Sequence, residues 1–358
     1  MSLKSLAHAA LAALFLIPAS GALAADAKPV RFAWCTSSTG ISMAPIAAAK
    51  KFGWLEQEGI ALDIVHVGSG TDCAKYVATG EVDFAAPAIE ATAAMAAVGA
   101  DLKIFFTIQQ VSSWSIQAPA ASGIRTVSDL KGKKVGVISL SALGATIVKG
   151  LAKEAGLDPD KDISLVAVGD AQRAAYFLQQ KEIDAVSIFT LAHLQIEALG
   201  TPLREVEAAS IKDSPSIALV TRGDYLKEHR QEAVKLARAY AKGLAFTFAA
   251  PRAAEKVFYE VFPKAVPDAS VAAGVHRSNI TLTEYHAGAP SPLNGNLPSW
   301  GYSRPEVYGA YIARLIDWGL VRGKISEADV IDNSLLPEIN DFDRAEIAAL
   351  AAKASGGE

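Results

Sequence analysis

Small hydroxyl side chains and glycines recur in short loops, each placed directly after an apolar run. Residues 35–40 read CTSSTG, residues 68–71 read GSGT and residues 139–146 read SLSALGAT. A helix that begins in such a loop leaves several backbone N–H groups without intrahelical partners, and its positive dipole end favours negative charge. Together with the hydroxyls, these N–H groups predict loops that bind an anionic or polar ligand.

The same loops also have a purely structural explanation, which stays open at this point. Serine and threonine are common caps at the start of a helix, where their side chains accept backbone hydrogen bonds. A fourth loop, residues 86–90 (APAIE), is small and apolar. We expect this loop to shape a binding cleft more than to bind charge.

Aromatic residues near predicted strand ends add a surface for an organic group, although each would serve equally well as core or hinge packing. His193 could donate to an anion, but a lone helical histidine more often lies at the surface, and Arg173 is expected to point to solvent. The predicted ligand contacts are Trp34, Thr36, Ser38, Ser69, Gly70, Thr71, Ala88, Trp114, Ser139, Ser141, Thr146, Phe189 and Thr190.

Catalytic patterns are missing from the sequence. It contains no G-x-S-x-G, no P-loop and no H-E-x-x-H motif. Paired acids occur at Glu81/Asp83 and at Glu182/Asp184, but both pairs lie at predicted helix-to-strand corners, on the edge of each sheet away from a ligand. We therefore interpret them as solvated structural acids, and the sequence predicts neither an enzyme nor a bound cofactor.

Two cysteines, Cys35 and Cys73, are the only thiols. Two thiols without clustered histidines offer too few ligands for a tetrahedral zinc ion, so no metal site is predicted. In an oxidising compartment they could form one disulfide. The favoured interpretation is two small, unpaired, buried residues near strand ends.

The elements that position these loops alternate between strand and helix, which predicts parallel βαβ units with right-handed crossovers. The first block has strands at 30–34, 61–67, 82–86 and 102–109 and helices at 41–51, 71–79 and 89–98. The second block has a short turn-helix at 127–130, strands at 134–138, 163–168 and 185–189 and helices at 144–155 and 171–179.

The two blocks also resemble each other. Residues 77–85 (VATGEVDFA) and 178–186 (LQQKEIDAV) each end a helix and open a strand, with two acids flanking a β-branched residue. This repetition predicts two related lobes. After a further strand at 216–221 the chain becomes helical at 225–249, 305–318 and 345–354, with a long loop at 286–302. These helices are expected to return to the first lobe.

The N-terminus predicts export. Lys4 precedes a short apolar run at 9–17, and Pro18 and small residues lead to an A-x-A site ending at Ala24. This is typical of a cleaved signal peptide at 1–24, because the run is about half the length of a membrane span. The formal net charge is only −4 and no basic run occurs, which argues against nucleic acid as a partner.

Three segments carry a resemblance to a known family: residues 47–60 (AAAKKFGWLEQEGI), 123–137 (GIRTVSDLKGKKVGV) and 315–320 (LIDWGL). They resemble the periplasmic proteins that bind sulfonates, taurine, nitrate and pyrimidine precursors. The resemblance implies an α/β fold of two doubly wound lobes joined by a two-strand hinge, the periplasmic binding protein-like II fold. Residues 25–113 and 221–358 would form lobe 1 and residues 114–220 lobe 2, with crossings near 112–119 and 216–222.

The resemblance further implies a periplasmic, monomeric solute-binding component that delivers its ligand to the permease and ATPase of an ABC importer. The leading prediction is a small organic anion such as an alkanesulfonate or taurine. The alternative is a neutral or aromatic solute, such as a pyrimidine or an aromatic carboxylate. An exported enzyme on the same fold ranks third, because the related pyrimidine-synthesising enzyme is intracellular and carries a cysteine-rich motif that this sequence lacks.

Overall fold

The computed structural model describes residues 29–36, 38–140 and 142–356. The predicted signal peptide at 1–24 and the predicted ligand contact Ser141 lie outside the described residues. In the described part of the chain, the strands form two five-stranded sheets. The strands are β1 (Val30–Trp34), β2 (Leu62–His66), β3 (Phe84–Ala85), β4 (Leu102–Thr107), β5 (Trp114–Pro119), β6 (Lys133–Val137), β7 (Ile163–Ala167), β8 (Ala185–Phe189), β9 (Leu203–Glu205) and β10 (Ala218–Arg222).

Helices flank both sheets. They are α1 (Ala44–Lys51), α2 (Trp54–Gln57), α3 (Gly70–Thr79), α4 (Ile89–Ala97), α5 (Leu143–Glu154), α6 (Ala171–Gln179), α7 (Thr190–Ala198), α8 (Ala209–Lys212), α9 (Gly223–Glu228), α10 (Arg230–Ala249), α11 (Pro251–Val261), α12 (Ala272–Ala287), α13 (Pro305–Asp317), α14 (Glu327–Val330), α15 (Leu336–Ile339) and α16 (Arg344–Ser355). Short 3-10 helices lie at Ile41–Met43, Val127–Leu130, Pro263–Ala265 and Asn333–Leu335. Within the described residues, no helix combines the length and apolar character needed to cross a membrane.

The two sheets have the same strand order. The first is β2-β1-β3-β10-β4 and the second is β7-β6-β8-β5-β9. The first three strands of each sheet run parallel, whereas β10 and β5, in the fourth position, run antiparallel to both of their neighbours. The molecule therefore consists of two α/β lobes, as predicted.

The repeated helix-to-strand corners have the same structure in both lobes. The Asp83 carboxylate accepts a hydrogen bond from the backbone N–H of Arg31 at 2.8 Å, at the beginning of β1. The Asp184 carboxylate accepts one from the backbone N–H of Lys134, also at 2.8 Å, at the beginning of β6. Each aspartate thus fixes the start of the neighbouring strand and lies at the amino end of its sheet.

The helices after β10 cover the first sheet. Helix α10 packs against α1, α15 and α16, and α11 packs against α1. Their apolar faces bury one contiguous cluster that includes Phe32, Tyr240 and Phe246. A second cluster joins α13 to the other side of the first sheet and to α5 of the second lobe. Helix α12 packs against α7, so the two lobes also touch there.

Several sequence predictions need correction. The predicted strand at 82–86 is reduced to β3, and the predicted helix at 225–249 is divided into α9 and α10 by the non-helical backbone of His229. Helix α12 was not predicted. The preference for unpaired thiols was wrong: Cys35 and Cys73 form a disulfide, with their Cα atoms 5.6 Å apart. They are neighbours because β1 ends and α3 begins at the same edge of the sheet.

Candidate functional site

The carboxyl ends of the parallel strands in both lobes lead into the predicted binding loops. The loops at 35–40, 67–69 and 86–88 follow β1, β2 and β3, and the loop at 138–142 follows β6. In open α/β sheets ligands bind beyond this edge, where helices begin. The structure therefore places the described members of the predicted contacts at the edge where a ligand is expected.

The chain crosses between the lobes twice at this edge. The first crossing is residues 108–113, between β4 and β5, and the second is residues 206–217, between β9 and β10. The two crossings are joined by hydrogen bonds. Ile108 N–H donates to Ile217 O at 2.8 Å, and Ser216 N–H donates to Gln109 O at 3.0 Å. The Arg304 guanidinium donates to a carbonyl on each crossing, Gln110 O at 2.8 Å and Asp213 O at 3.0 Å. The crossings consequently form one two-stranded connection.

Loops of the two lobes meet at Ser113, which lies on the first crossing. Its hydroxyl donates to the side chain of Gln109 at 2.5 Å, just beyond β4 of the first sheet. Its carbonyl accepts two hydrogen bonds from Thr190, at the end of β8 of the second sheet: 2.8 Å from the backbone N–H and 3.1 Å from the hydroxyl. Gln109 and Ser113 were not predicted as site residues.

The structure brings three predicted contacts together beside Ser113. The rings of Trp114 and Phe189 lie edge to face, with centroids 5.9 Å apart, and Thr190 follows directly. Gly144 lies against the Trp114 ring. A Cβ atom added at Gly144 would be 3.2 Å from that ring and 2.2 Å from Ser187 O. Phe189 is 37% exposed, so its ring is available to a ligand.

In the first lobe, Ser69 caps α3. Its hydroxyl accepts a hydrogen bond from Asp72 N–H at 3.1 Å and donates to the Asp72 carboxylate at 2.6 Å. Gly70 is next to another predicted contact, since a Cβ atom added there would lie 3.8 Å from Ala88 N. Thr71 is exposed.

The first binding loop is held in place by a histidine that was not predicted. The ring nitrogens of His66 lie 3.2 Å from Thr36 O and 3.3 Å from the Thr39 hydroxyl. The Thr36 hydroxyl donates to Ser38 O at 2.7 Å. The position of His66 could have been inferred, because it is the last residue of β2 and β2 pairs with β1 in register.

The remaining predicted contacts are less exposed. Trp34 is only 3% exposed and belongs to the core of the first lobe, and its indole N–H has no partner among the described residues. Ser139 is half-buried, and so is Thr146 in the second turn of α5. His193 was expected at the surface but is 1% exposed, and burial lowers its pKa to about 3.

A small cavity of about 40 Å³ opens beside Gln109 in the first lobe. It lies between the start of α1, the first crossing, α10 and α12. It is lined by Ile41, Ser42, Pro45, Ile108, Gln109, Tyr240, Leu244, Thr247, Phe248, Leu282, Thr283 and His286. Burial lowers the pKa of His286 to about 4, so its ring is neutral at pH 7. Neither α10 nor α12 was predicted to contribute residues to a binding site.

The binding loops contain no lysine or arginine: residues 35–40, 67–69, 86–88 and 138–142 are uncharged. Two acids lie close to these loops. The Asp72 carboxylate accepts from the Ser69 hydroxyl, and Glu90 lies in the first turn of α4, where its carboxylate contacts the Tyr311 hydroxyl and burial raises its pKa. In the part of the chain that the structure describes, no three histidine, cysteine or acidic side chains come together as metal ligands. A negative charge on a ligand would therefore be met by backbone N–H groups and hydroxyls.

Comparison with known families gives a match over more than half of the chain. The family model described as "NMT1/THI5 like" matches residues 41–254. The chain belongs to this family.

Two curated relatives are named 4-amino-5-hydroxymethyl-2-methylpyrimidine phosphate synthase. The protein of Legionella pneumophila is 33% identical over 115 residues, which are 32% of this chain and only 36% of the relative. That of Uromyces fabae is 25% identical over 233 residues, 61% of this chain and 67% of the relative.

Solved structures show the same fold at low sequence identity. The periplasmic aliphatic sulphonate binding protein SsuA of Escherichia coli matches with a TM-score of 0.65 and 16% identity, over 86% of this chain and 92% of that one. The periplasmic nitrate-binding protein NrtA of Synechocystis PCC 6803 matches with a TM-score of 0.58 and 13% identity, over 91% of this chain and 88% of that one. This chain thus has the periplasmic binding protein fold found in components of ABC importers.

Proposed function

We propose that this protein is the periplasmic solute-binding component of an ABC importer, which captures a small organic anion of the alkanesulfonate or taurine type. The observation that carries the proposal is the meeting of the two lobes at Ser113, which binds Gln109 after β4 and Thr190 after β8. A ligand at this point contacts both lobes. It can therefore hold them closed around a hinge, and the closed form is what a permease would recognise.

The loops can bind an anion through uncharged groups, because they contain no charged side chain. Helices α3, α5 and α7 each begin at a carboxyl edge, where the positive end of the helix dipole favours negative charge. The proposed hydrogen-bonding contacts include the hydroxyls of Ser38, Ser139 and Thr190. Trp114 and Phe189 form an aromatic wall beside them. The sulfonate-binding neighbour supports this ligand class, and the nitrate-binding neighbour supports an anion more generally.

The names of the curated relatives favour a second candidate, a protein that binds or synthesises a pyrimidine. An exported pyrimidine-binding protein would use the same cleft and the same aromatic wall. A synthase would need reactive groups in the cleft, but both cysteines of this chain are joined in the disulfide. We therefore rank pyrimidine binding above synthesis, and both below anion capture.

A thermal-shift titration of the purified chain 25–358 tests the proposal. A ligand that binds only the folded state at 100 times its dissociation constant stabilises that state by about 2.7 kcal/mol, which raises the melting temperature by several degrees. We expect ethanesulfonate or a related sulfonate to do so and 4-amino-2-methylpyrimidine to have no effect. Stabilisation by the pyrimidine alone would replace the leading proposal with the second one.

A further inference from the structure

Four buried polar side chains near the first crossing have unused hydrogen-bonding atoms. Both ring nitrogens of His286, the Tyr240 hydroxyl, the Gln110 side-chain oxygen and the Ser291 hydroxyl find no partner among the described residues. Each of these residues is less than a tenth exposed. Buried polar groups are almost always paired, and leaving one unpaired is costly. Such a concentration in one place points to a missing occupant.

These atoms surround two small cavities that share His286. The first is the cavity of about 40 Å³ that opens beside Gln109 and also contains Tyr240. The second, of about 10 Å³, is lined by His286, Gln110 and Ser291 among others. A water molecule needs a cavity of about 10–15 Å³. The second cavity therefore suits one water, and the first suits a group of roughly three non-hydrogen atoms, which is too small for a whole aromatic ring.

The lining of the larger cavity excludes a charged occupant. Of the described residues that line it, none is lysine, arginine, aspartate or glutamate. Its walls are mostly apolar, and Leu244, Phe248 and Leu282 line it together with His286. A charged group would lose its hydration there without gaining a counter-ion. A neutral imidazole instead offers one N–H donor and one nitrogen acceptor, which suit a group that both donates and accepts.

We propose that this cavity binds the uncharged, hydrogen-bonding end of the solute, a hydroxyl or a primary amide, through His286. The charged end of the same molecule stays at the loops of the cleft. This inference rests on the proposed function and narrows its ligand class, because it favours hydroxyl-ended over methyl-ended anions and disfavours ammonium-ended ones. Gln109 connects the cavity to the place where the two lobes meet, since it lines the cavity and also accepts a hydrogen bond from Ser113.

Three sulfonates that differ only at one end provide the test: ethanesulfonate, 2-hydroxyethanesulfonate and taurine. Their affinities for the chain 25–358 are measured by calorimetry. We expect the hydroxyl compound to bind about fivefold more tightly than ethanesulfonate, as one neutral hydrogen bond allows, and taurine to bind most weakly. His286→Leu should abolish the preference for the hydroxyl, and His286→Gln, which keeps a donor and an acceptor, should retain it. An equal affinity for all three in the wild type would overturn the inference.

A second arm separates failure of the inference from failure of the proposed function. Neutral propanamide is titrated while the histidine ring signals are followed by NMR, with His286 assigned through the His286→Leu variant. The signals of His193, the other buried histidine, serve as the internal control. Saturable movement of the His286 signals alone supports the cavity even if no sulfonate binds. If sulfonates bind but neither propanamide nor 2-hydroxyethanesulfonate moves those signals, the cavity proposal is wrong and anion capture stands.

Discussion

The first and second lobes use the same hydrogen bond where their leading strands end. Val67 N–H donates to Trp34 O at 2.9 Å in the first lobe, and Val168 N–H donates to Val137 O at 2.8 Å in the second. The two lobes differ at the residue that follows each of these strands. In the first lobe it is Cys35, which is bonded to Cys73 in α3.

In the second lobe the corresponding residue is Ile138, which packs against an apolar cluster that includes Ala174 of α6. The two lobes thus share a backbone arrangement but hold their binding loops differently. The loop after β1 is held by a covalent bond, and the loop after β6 is held by apolar contacts. A covalent bond keeps its loop in place with or without ligand. An apolar contact can loosen, so the comparison suggests that the second lobe adapts to the ligand more than the first.

The largest expected effect is the loss of the disulfide. The cysteines are 38 residues apart, and cross-linking a loop of that length stabilises a protein by about 4 kcal/mol in the chain-entropy treatment. We expect the double variant Cys35→Ala/Cys73→Ala to lose about 2–4 kcal/mol of unfolding free energy in urea. The matched change in the second lobe, Ile138→Ala, should cost about 1–2 kcal/mol, because this side chain is only half-buried. Equal losses would contradict the comparison.

Acid should destabilise both lobes through one buried histidine each. Burial lowers the pKa of His193 to about 3 and that of His286 to about 4. An unfolded histidine has a pKa near 6.5, so the unfolded chain binds more protons as the pH falls below that value. The stability held by each neutral ring is therefore complete above pH 6.5 and is lost as the pH falls through 6.5 towards 4.

For His286 this loss amounts to about 3 kcal/mol between pH 6.5 and pH 4. Urea unfolding of the wild type, His193→Gln and His286→Gln at several pH values measures it. Each variant should show a shallower pH dependence than the wild type over this range. Identical pH dependences in all three proteins would show that neither ring is held neutral by burial.

A smaller effect is expected at two glycines near helix starts. A Cβ atom at Gly144 in the second lobe would lie 2.2 Å from Ser187 O, whereas one at Gly70 in the first lobe would make only ordinary contacts at 3.8 Å. Gly144→Ala should therefore lose about 1–3 kcal/mol through overpacking, and Gly70→Ala should be nearly neutral. Thermal unfolding of the two variants side by side measures the difference. A tolerated alanine at 144 would show that α5 can move away from β8.

The smallest effect separates the two explanations for Ser69, a helix cap or a ligand contact. Its counterpart in the second lobe is Asp170, whose carboxylate accepts from Arg173 N–H at 2.8 Å. Ser69→Ala and Asp170→Ala should each cost about 1 kcal/mol of stability, and Ser69→Gly only a few tenths. If Ser69 also contacts the ligand, Ser69→Gly should still weaken sulfonate binding several-fold. Unchanged affinity would leave it as a cap alone.

Much of the frame could be predicted from the sequence because its signals are local. Strands separated by helices of about ten residues indicate βαβ units, and the repeated corner at Asp83 and Asp184 indicates two related lobes. Helix α12 gave no such signal, because Val275, Ile280 and Thr281 are weak helix formers. This helix is held mainly by packing against α7, α10 and α11.

The site was predicted only in part for a similar reason. Loops after parallel strands can be located from sequence, which predicted the position of Phe189 and Thr190, and the expected crossing predicted that of Trp114. The structure places these three residues together, and their contact with a ligand stays a prediction. The cavity around His286 is assembled from α1, the first crossing, α10 and α12, which are far apart along the chain. The disulfide depends on the same kind of distant neighbourhood, and two cysteines alone did not reveal it.

The position of β10 also limits the order in which this protein can fold during synthesis. β10 completes the first sheet by pairing Leu219 with Phe106 of β4 and Val220 with Ala85 of β3. A growing chain must therefore wait until the whole second lobe has been made before its first sheet can close. Until then, β3 and β4 present unpaired edges, which are templates for aggregation. The second sheet is formed entirely by residues within 114–205, so it can close earlier. The lobe whose synthesis begins first is therefore the one whose sheet is completed last.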